Sequence, residues 1–287
     1  MRTSSCEFLY TSPVKRRTFL KTLLSSIIAA PFVAGGFGWA SAHSFGITRI
    51  SYQLPNLQKP LKLVQLTDLH FGQFMLENET RAWVTATNLE KPDLIVITGD
   101  LMHRLQTPDR HEALATELSL LRAPLGVWAV LGNHDFWGKD PIRAQQDLVA
   151  KIEKVGIRFL NNAGVQLRPD FFLAGVNDLW EGQPNIDLAL EHQPTKTATV
   201  LLSHNPDFMM QTPKTVDFVL SGHTHGGQVR LPGLPTIYNV SRYGEKFQQG
   251  FVQGNVPGFV SRGLGCGGIP LRILAPAELV VLELQPL

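Results

Sequence analysis

The chain has 287 residues, 44% of them hydrophobic, and a formal net charge of +2. That length supports a sizeable core in at most two domains. The first 42 residues hold Arg2, Lys15, Arg16, Arg17 and Lys21 against Glu7 alone, so the remainder is slightly acidic and lacks the basic signature of a nucleic-acid binder.

The N-terminal segment reads as an export signal. Lys15-Arg16-Arg17-Thr18-Phe19-Leu20-Lys21 precedes an apolar run from Leu23 to Trp39, and Ala40-Ser41-Ala42 supplies a small-x-small cleavage site. The arginine pair resembles the twin-arginine motif, with Lys15 where Ser or Thr is usual. Residues 1–42 are therefore expected to engage the twin-arginine translocase and to deliver a periplasmic or cell-envelope protein. The leader is either cleaved or retained as an anchor that associates with the membrane. Cys6 falls in this leader, which leaves Cys266 without an intramolecular partner.

Residues 43–60 read as a lead-in, and from Leu61 the pattern is α/β. Strands are predicted at Leu61 to Thr67, Leu94 to Thr98, Val127 to Leu131, Phe171 to Val176, Thr199 to Leu202 and Val216 to Leu220. Helices are predicted from Asn78 to Glu90, with Asn78 as cap, from Asp109 to Arg122, and from Asp140 to Val155 with Pro141 in its first turn. Past residue 227 the chain turns Gly- and Pro-rich. Phe259-Val260, Leu271 to Leu274 and Glu278 to Leu284 read there as largely antiparallel strands. Strands alternating with helices, then a β-rich tail, suggest layered sheets with helices outside.

Five of these strands end in polar clusters: Asp68/His70, Asp100, Asn133/His134, His204 and His223/His225. Ligands of an open α/β sheet gather at the carboxyl ends of its strands. Strand side chains alternate between faces, so placing both His223 and His225 in one site requires a turn, which Gly222 and Gly226 would permit. Buried carboxylates and imidazoles gathered in one place need something to compensate their polarity. Nitrogen and oxygen donors without a thiolate fit Mn²⁺, Fe²⁺ or Zn²⁺. Even seven such donors would be too many for one ion and suit two ions about 3.5–4 Å apart, an arrangement that serves displacement at phosphorus.

Asp68-x-His70, Gly99-Asp100, Gly132-Asn133-His134-Asp135, His204 and Gly222-His223-x-His225 resemble the motifs of the calcineurin-like metallophosphoesterase family. The leader, Asn177-Asp178-Leu179-Trp180 and Gly226-Gly227-Gln228 look most like its exported bacterial branch of phosphohydrolases and phosphodiesterases. The resemblance implies a four-layer α/β/β/α sandwich of two mixed sheets over 61–287, with a dinuclear metal site at the strand ends. By position it implies that Asp68, His70 and His225 hold one metal, that Asn133, His204 and His223 hold the other, and that Asp100 bridges them. A bridging hydroxide would then attack phosphorus, with His134 contacting the phosphoryl group and protonating the leaving group. The family's protein-phosphatase branch orients that histidine with an Asp three residues after the bridging Asp. Here the position is His103, which leaves Asp135 as a candidate orienting group.

Phe71, Phe74, Trp137 and Trp180 stand near these motifs as packing or as an apolar substrate wall, and Arg230 and Arg262 are candidate phosphate partners. The expected substrate is a phosphoester, envelope-lipid or nucleotide derived, and the expected activity is that of a phosphodiesterase. The alternatives are a pyrophosphatase acting on a nucleotide–lipid intermediate and a silent binding scaffold on the same fold.

Overall fold

A computed structural model describes residues 35–104, 107–236 and 239–287. Most of the expected leader, including its arginine pair, lies outside the described residues. No described helix is long and apolar enough to cross a membrane.

Among the described residues twelve strands form two six-stranded sheets. The first sheet has the order β1-β12-β2-β3-β4-β5, from β1 (Phe45–Leu54), β12 (Ala277–Pro286), β2 (Leu61–Leu66), β3 (Leu94–Thr98), β4 (Val127–Val130) and β5 (Ile157–Phe159). The second has the order β10-β11-β9-β8-β7-β6, from β10 (Gly250–Gln253), β11 (Pro257–Val260), β9 (Phe218–Ser221), β8 (Ala198–Leu202), β7 (Phe171–Gly175) and β6 (Ala163–Arg168). The central strands β2, β3 and β4 run parallel, as do β7, β8 and β9. Strands buried on both faces read as continuous apolar runs, and β3 (Leu-Ile-Val-Ile-Thr) is buried at every residue.

Leu63, Leu94, Val96 and Leu282 from the first sheet meet Leu173, Val200, Phe218 and Phe259 from the second in one core. The opposite face of the first sheet, with Val64, Leu66, Ile95 and Ile97, packs under three helices. These are α1 (Glu77–Leu89), α2 (Pro108–Leu118) and α3 (Pro141–Lys154), contributing Trp83, Val84, Leu114, Leu118, Leu148 and Ile152. The outer layer of the second sheet is thinner. It consists of α4 (Ile186–Leu190) and 3₁₀ turns at Pro206–Met210 and Gly244–Phe247, which bring Ala189, Phe208, Met209 and Phe247 onto Phe172, Leu201 and Val219. The layers are α/β/β/α, as the resemblance implied.

Four expectations change. Helix α1 starts at Glu77, where the Leu76 N–H donates to Glu79 Oε2 at 3.1 Å, so Asn78 is inside the helix and not its cap. The expected lead-in supplies β1, which runs parallel to β12 along its whole length. Leu271 to Leu274 forms no strand and contributes a single bridge, Ile273 to Val229. The tail is mixed, not largely antiparallel: β11 joins β9 in parallel, while β12 is antiparallel to β2 and parallel to β1.

Candidate metal centre

Every residue expected as a ligand follows a strand's carboxyl end. Asp68 and His70 follow β2, Asp100 follows β3, and Asn133 opens the 3₁₀ turn Asn133–Phe136 after β4. From the second sheet His204 follows β8, and His223 and His225 follow β9. All seven side chains are buried. The two sheets are stitched at this edge: Gln65 Nε2 donates to the Ser221 carbonyl at 3.0 Å, and His204 Nδ1 to the Thr98 carbonyl at 2.8 Å. Because a carbonyl only accepts, the second contact puts the His204 proton on Nδ1 and frees Nε2 as a donor atom.

The donor atoms converge. His70 Nε2 lies 2.9 Å from His225 Nε2 and 3.4 Å from Asp100 Oδ2, and His225 Nε2 lies 3.5 Å from Asp68 Oδ1. On the other side His204 Nε2 lies 3.3 Å from Asp100 Oδ2, 3.2 Å from Asn133 Oδ1 and 3.2 Å from His223 Nδ1. Metal–ligand bonds of about 2.0–2.2 Å at tetrahedral or octahedral angles give donor–donor edges of roughly 2.9–3.5 Å. Asp68, His70, Asp100 and His225 group around one point. Asp100 Oδ2 faces both halves. The seven residues fit two divalent cations with Asp100 shared.

The local backbone explains how strand ends deliver them. Asp68, His70, Asp100, His223 and His225 all adopt left-handed φ, between 47° and 72°. Asp and His visit this region more readily than other side chains, yet it is a strained choice repeated five times. The turn that brings both histidines inward is therefore made by His223 and His225 themselves, together with Gly226. Gly222 is required for another reason: a Cβ there would collide with Thr67 Oγ1 and Asp68 Oδ2.

Burial and mutual charge shape the titration of the cation-free cluster. Burial pushes the Asp68 carboxyl up to about 7 and holds His70, His223 and His225 well below the ordinary imidazole value. Burial opposes ionisation of Asp100, but His204 and His134 overcome it and hold the carboxyl well below its usual range. Burial likewise opposes the charged ring of His204, and Asp100 pushes it up to about 10 regardless. Among these seven side chains His204 is the one held protonated, a counter-charge to Asp100 that a bound cation would replace.

His134 stands beside the cluster, its N–H donating to Asp100 Oδ1 at 2.9 Å. Its Nδ1 donates to the backbone carbonyl of His103 at 2.5 Å, which leaves Nε2 to hold or release a proton. Asp135 does not orient it. That buried carboxylate accepts the N–H groups of Leu101, Met102 and Gly132 at 3.2, 2.9 and 2.9 Å. The orienting group is thus a main-chain oxygen at the position where the sequence shows a histidine in place of Asp.

A pocket of about 510 Å³ opens over the cluster, lined by Asp100, Asn133, His134 and His223 at its base and by Trp137, Trp180, Val229, Val240 and Ile269 above. Trp137 and Trp180 line it as an apolar wall, whereas Phe71 and Phe74 pack in the core under the helices. Arg262 is held by Glu278 at 2.6 Å, and neither it nor Arg230 lines the pocket; Arg104 does. Sequence reasoning also passed over Arg272. It is fully buried, donates to the carbonyls of Arg262, Gly263, Gly265 and Ala275, and lies 3.3 Å from His225 Nδ1.

Residues 61–227 match the family model described as calcineurin-like phosphoesterase. The metallophosphoesterase YkuE of Bacillus subtilis is 32% identical over 285 residues, covering 95% of this chain and 98% of that protein. A metallophosphoesterase of Aquifex aeolicus is 29% identical over 262 residues, covering 88% of this chain and 96% of that protein. The metallophosphoesterase Cj0846 of Campylobacter jejuni is 34% identical over 252 residues, covering 83% of this chain and 63% of that protein.

Proposed function

The chain belongs to the calcineurin-like phosphoesterase family, and from that premise and the geometry we propose that it is a metal-dependent phosphodiesterase of the cell envelope. The observation that carries the reaction class is Asp100 Oδ2, poised 3.4 Å from His70 Nε2 and 3.3 Å from His204 Nε2, so that one carboxylate serves two half-sites. Two divalent cations, Mn²⁺, Fe²⁺ or Zn²⁺, supply Lewis acidity and an acidified water when bound there. Asp68, His70 and His225 would hold one, Asn133, His204 and His223 the other, and Asp100 would be shared between them.

His134 contributes the proton. Its Nδ1–H is committed to the His103 carbonyl, so Nε2 carries the exchangeable proton to the leaving oxygen. Preference for a diester follows from the lining. A monoester dianion gains from several cationic side chains, and Arg104 is the one Lys or Arg among the described lining residues. A diester carries one negative charge and a second substituent, for which the apolar pocket has room.

Location outside the inner membrane rests on the leader sequence. The test is the periplasmic fraction of cells expressing the full chain, with Arg16→Lys/Arg17→Lys as control. Retention of that variant inside and export of the unaltered chain support the twin-arginine route; export of both sinks it. The activity test is hydrolysis of bis(p-nitrophenyl) phosphate and p-nitrophenyl phosphate by metal-stripped protein, with each cation added back, beside Asp100→Ala. Metal-dependent diester cleavage lost in Asp100→Ala is the expected result. Undiminished turnover in a folded Asp100→Ala protein removes the assignment.

A further inference from the structure

Above the ligand cluster the pocket changes character. The Trp137 ring centroid lies 4.0 Å from that of His134, and the Trp180 centroid 4.3 Å from that of His223. One braced loop ties the two indoles together. Trp137 Nε1 donates to Glu181 Oε1 at 3.0 Å, and Asp178 Oδ1 accepts the N–H groups of Trp180 and Glu181 at 2.8 and 2.9 Å. Val229, Val240 and Ile269 continue the lining with glycines 227, 267 and 268.

The same segments carry apolar side chains out to the surface. Ile269 is exposed at the lip. Val229 bridges to Ile273, and exposed Leu274, Leu231 and Leu234 lie within a few residues of that bridge. A group rich in hydroxyls or amides would lose its water against such walls without recovering hydrogen bonds. Hydrocarbon gains by the same burial, and a margin that continues past the lip suits a chain longer than the pocket.

We propose that the pocket takes amphiphilic phosphoesters, with the phosphoryl group at the Asp/His cluster and an alkyl or acyl chain along Trp137, Trp180, Val229 and Ile269. This rests on the phosphodiesterase reading and names its substrate class. In the step, the oxygen of water bonds to phosphorus and the bond from phosphorus to the leaving oxygen breaks. One water proton ends on that leaving oxygen and the other is released.

The test uses the full chain loaded with Mn²⁺ and a series of p-nitrophenyl alkyl phosphates from methyl to decyl, below their micelle concentrations. A fully buried methylene is worth roughly fourfold in binding, so partial burial along the wall gives at least about a tenfold rise in kcat/KM from methyl to octyl. Calorimetric Kd values of the matching alkylphosphonates, which cannot turn over, are expected to fall in parallel. Ile269→Ser and Val229→Asn are each expected to flatten both slopes. Turnover that is independent of chain length, with flat phosphonate affinities, overturns the proposal and leaves the phosphodiesterase reading intact. Graded phosphonate affinity without turnover of any ester upholds the apolar subsite and sinks that reading. A phospholipid-vesicle arm identifies the source: cleavage in vesicles points to a bilayer lipid, and cleavage of monomers alone to a soluble amphiphile.

Discussion

His134 owes its orientation to a peptide bond, not to a carboxylate. The His103 carbonyl needs no particular side chain, so His103→Ala is expected to keep most of the activity and an unshifted pH profile. His134→Ala is expected to lose about 10²–10⁴-fold in kcat, the usual worth of a positioned proton donor, with metal content unchanged. Steady-state kinetics beside metal analysis separates the two variants. An inactive but metal-replete His103→Ala would show that the ring, 5.1 Å from that of His134, matters as well. Asp135 has the complementary task. Three backbone N–H groups converge on it, and an amide presents only one oxygen together with an NH₂ that faces donors. Asp135→Asn is therefore expected to cost about 1–3 kcal/mol in urea unfolding, the price of leaving buried donors unpaired. An unchanged midpoint with full metal content would mean that the loop 101–102 is held by other contacts.

The elements that carry the site were legible in the sequence because each ligand follows an apolar run. β2, β3, β4, β8 and β9 are central strands, buried on both faces, and announce themselves by composition. Strands β1, β5, β6 and β10 went unread. All four are sheet edges, and β5 is only three residues long. A strand paired on one side, such as β6 with no buried residue, needs no continuous apolar stretch. The pairing of β11 with β9 was equally hidden, since nothing in a sequence fixes the direction of a strand that returns from a long excursion. Neighbouring strand ends also set the glycines. A Cβ at Gly132 would strike the main-chain N and Oδ1 of Asp100, and one at Gly99 would come within 2.6 Å of His204 Nδ1 and 2.7 Å of Gly132 N. Gly132→Ala is thus expected to displace the shared carboxylate, lowering metal content and activity together while the far-ultraviolet dichroism stays native. Full metal occupancy in Gly132→Ala would show that Asp100 can move without releasing the ions.

At the scale of the whole molecule, two sheets present charged strand ends to each other, and what neutralises that edge decides how stability depends on pH. In the cation-free chain His204 stays protonated up to about pH 10, against an ordinary value of 6.5. Folding therefore retains a proton that the unfolded chain gives up, and this stabilisation is complete below pH 6.5 and fades as pH rises toward 10. Asp68 and Asp135, raised to about 7, act in the same direction but only until both are ionised near that pH. His70, His223 and His225 act in the opposite direction because folding strips their protons, and their effect is complete once the unfolded rings are neutral above about 6.5. Beyond about pH 7, His204 is left as the ligand still changing. A divalent cation needs the neutral ring, so loading expels that proton and apparent affinity rises about tenfold per pH unit. The increase in Tm on adding Mn²⁺ over EDTA is accordingly expected to grow from about pH 7 to about pH 8.5 while the cation-free Tm falls. Thermal unfolding at both values, with calorimetric proton release in buffers of different ionisation enthalpy, measures both effects. An equal gain at both pH values, with no proton released, would place the cation away from His204 and break the two-ion assignment at its second half.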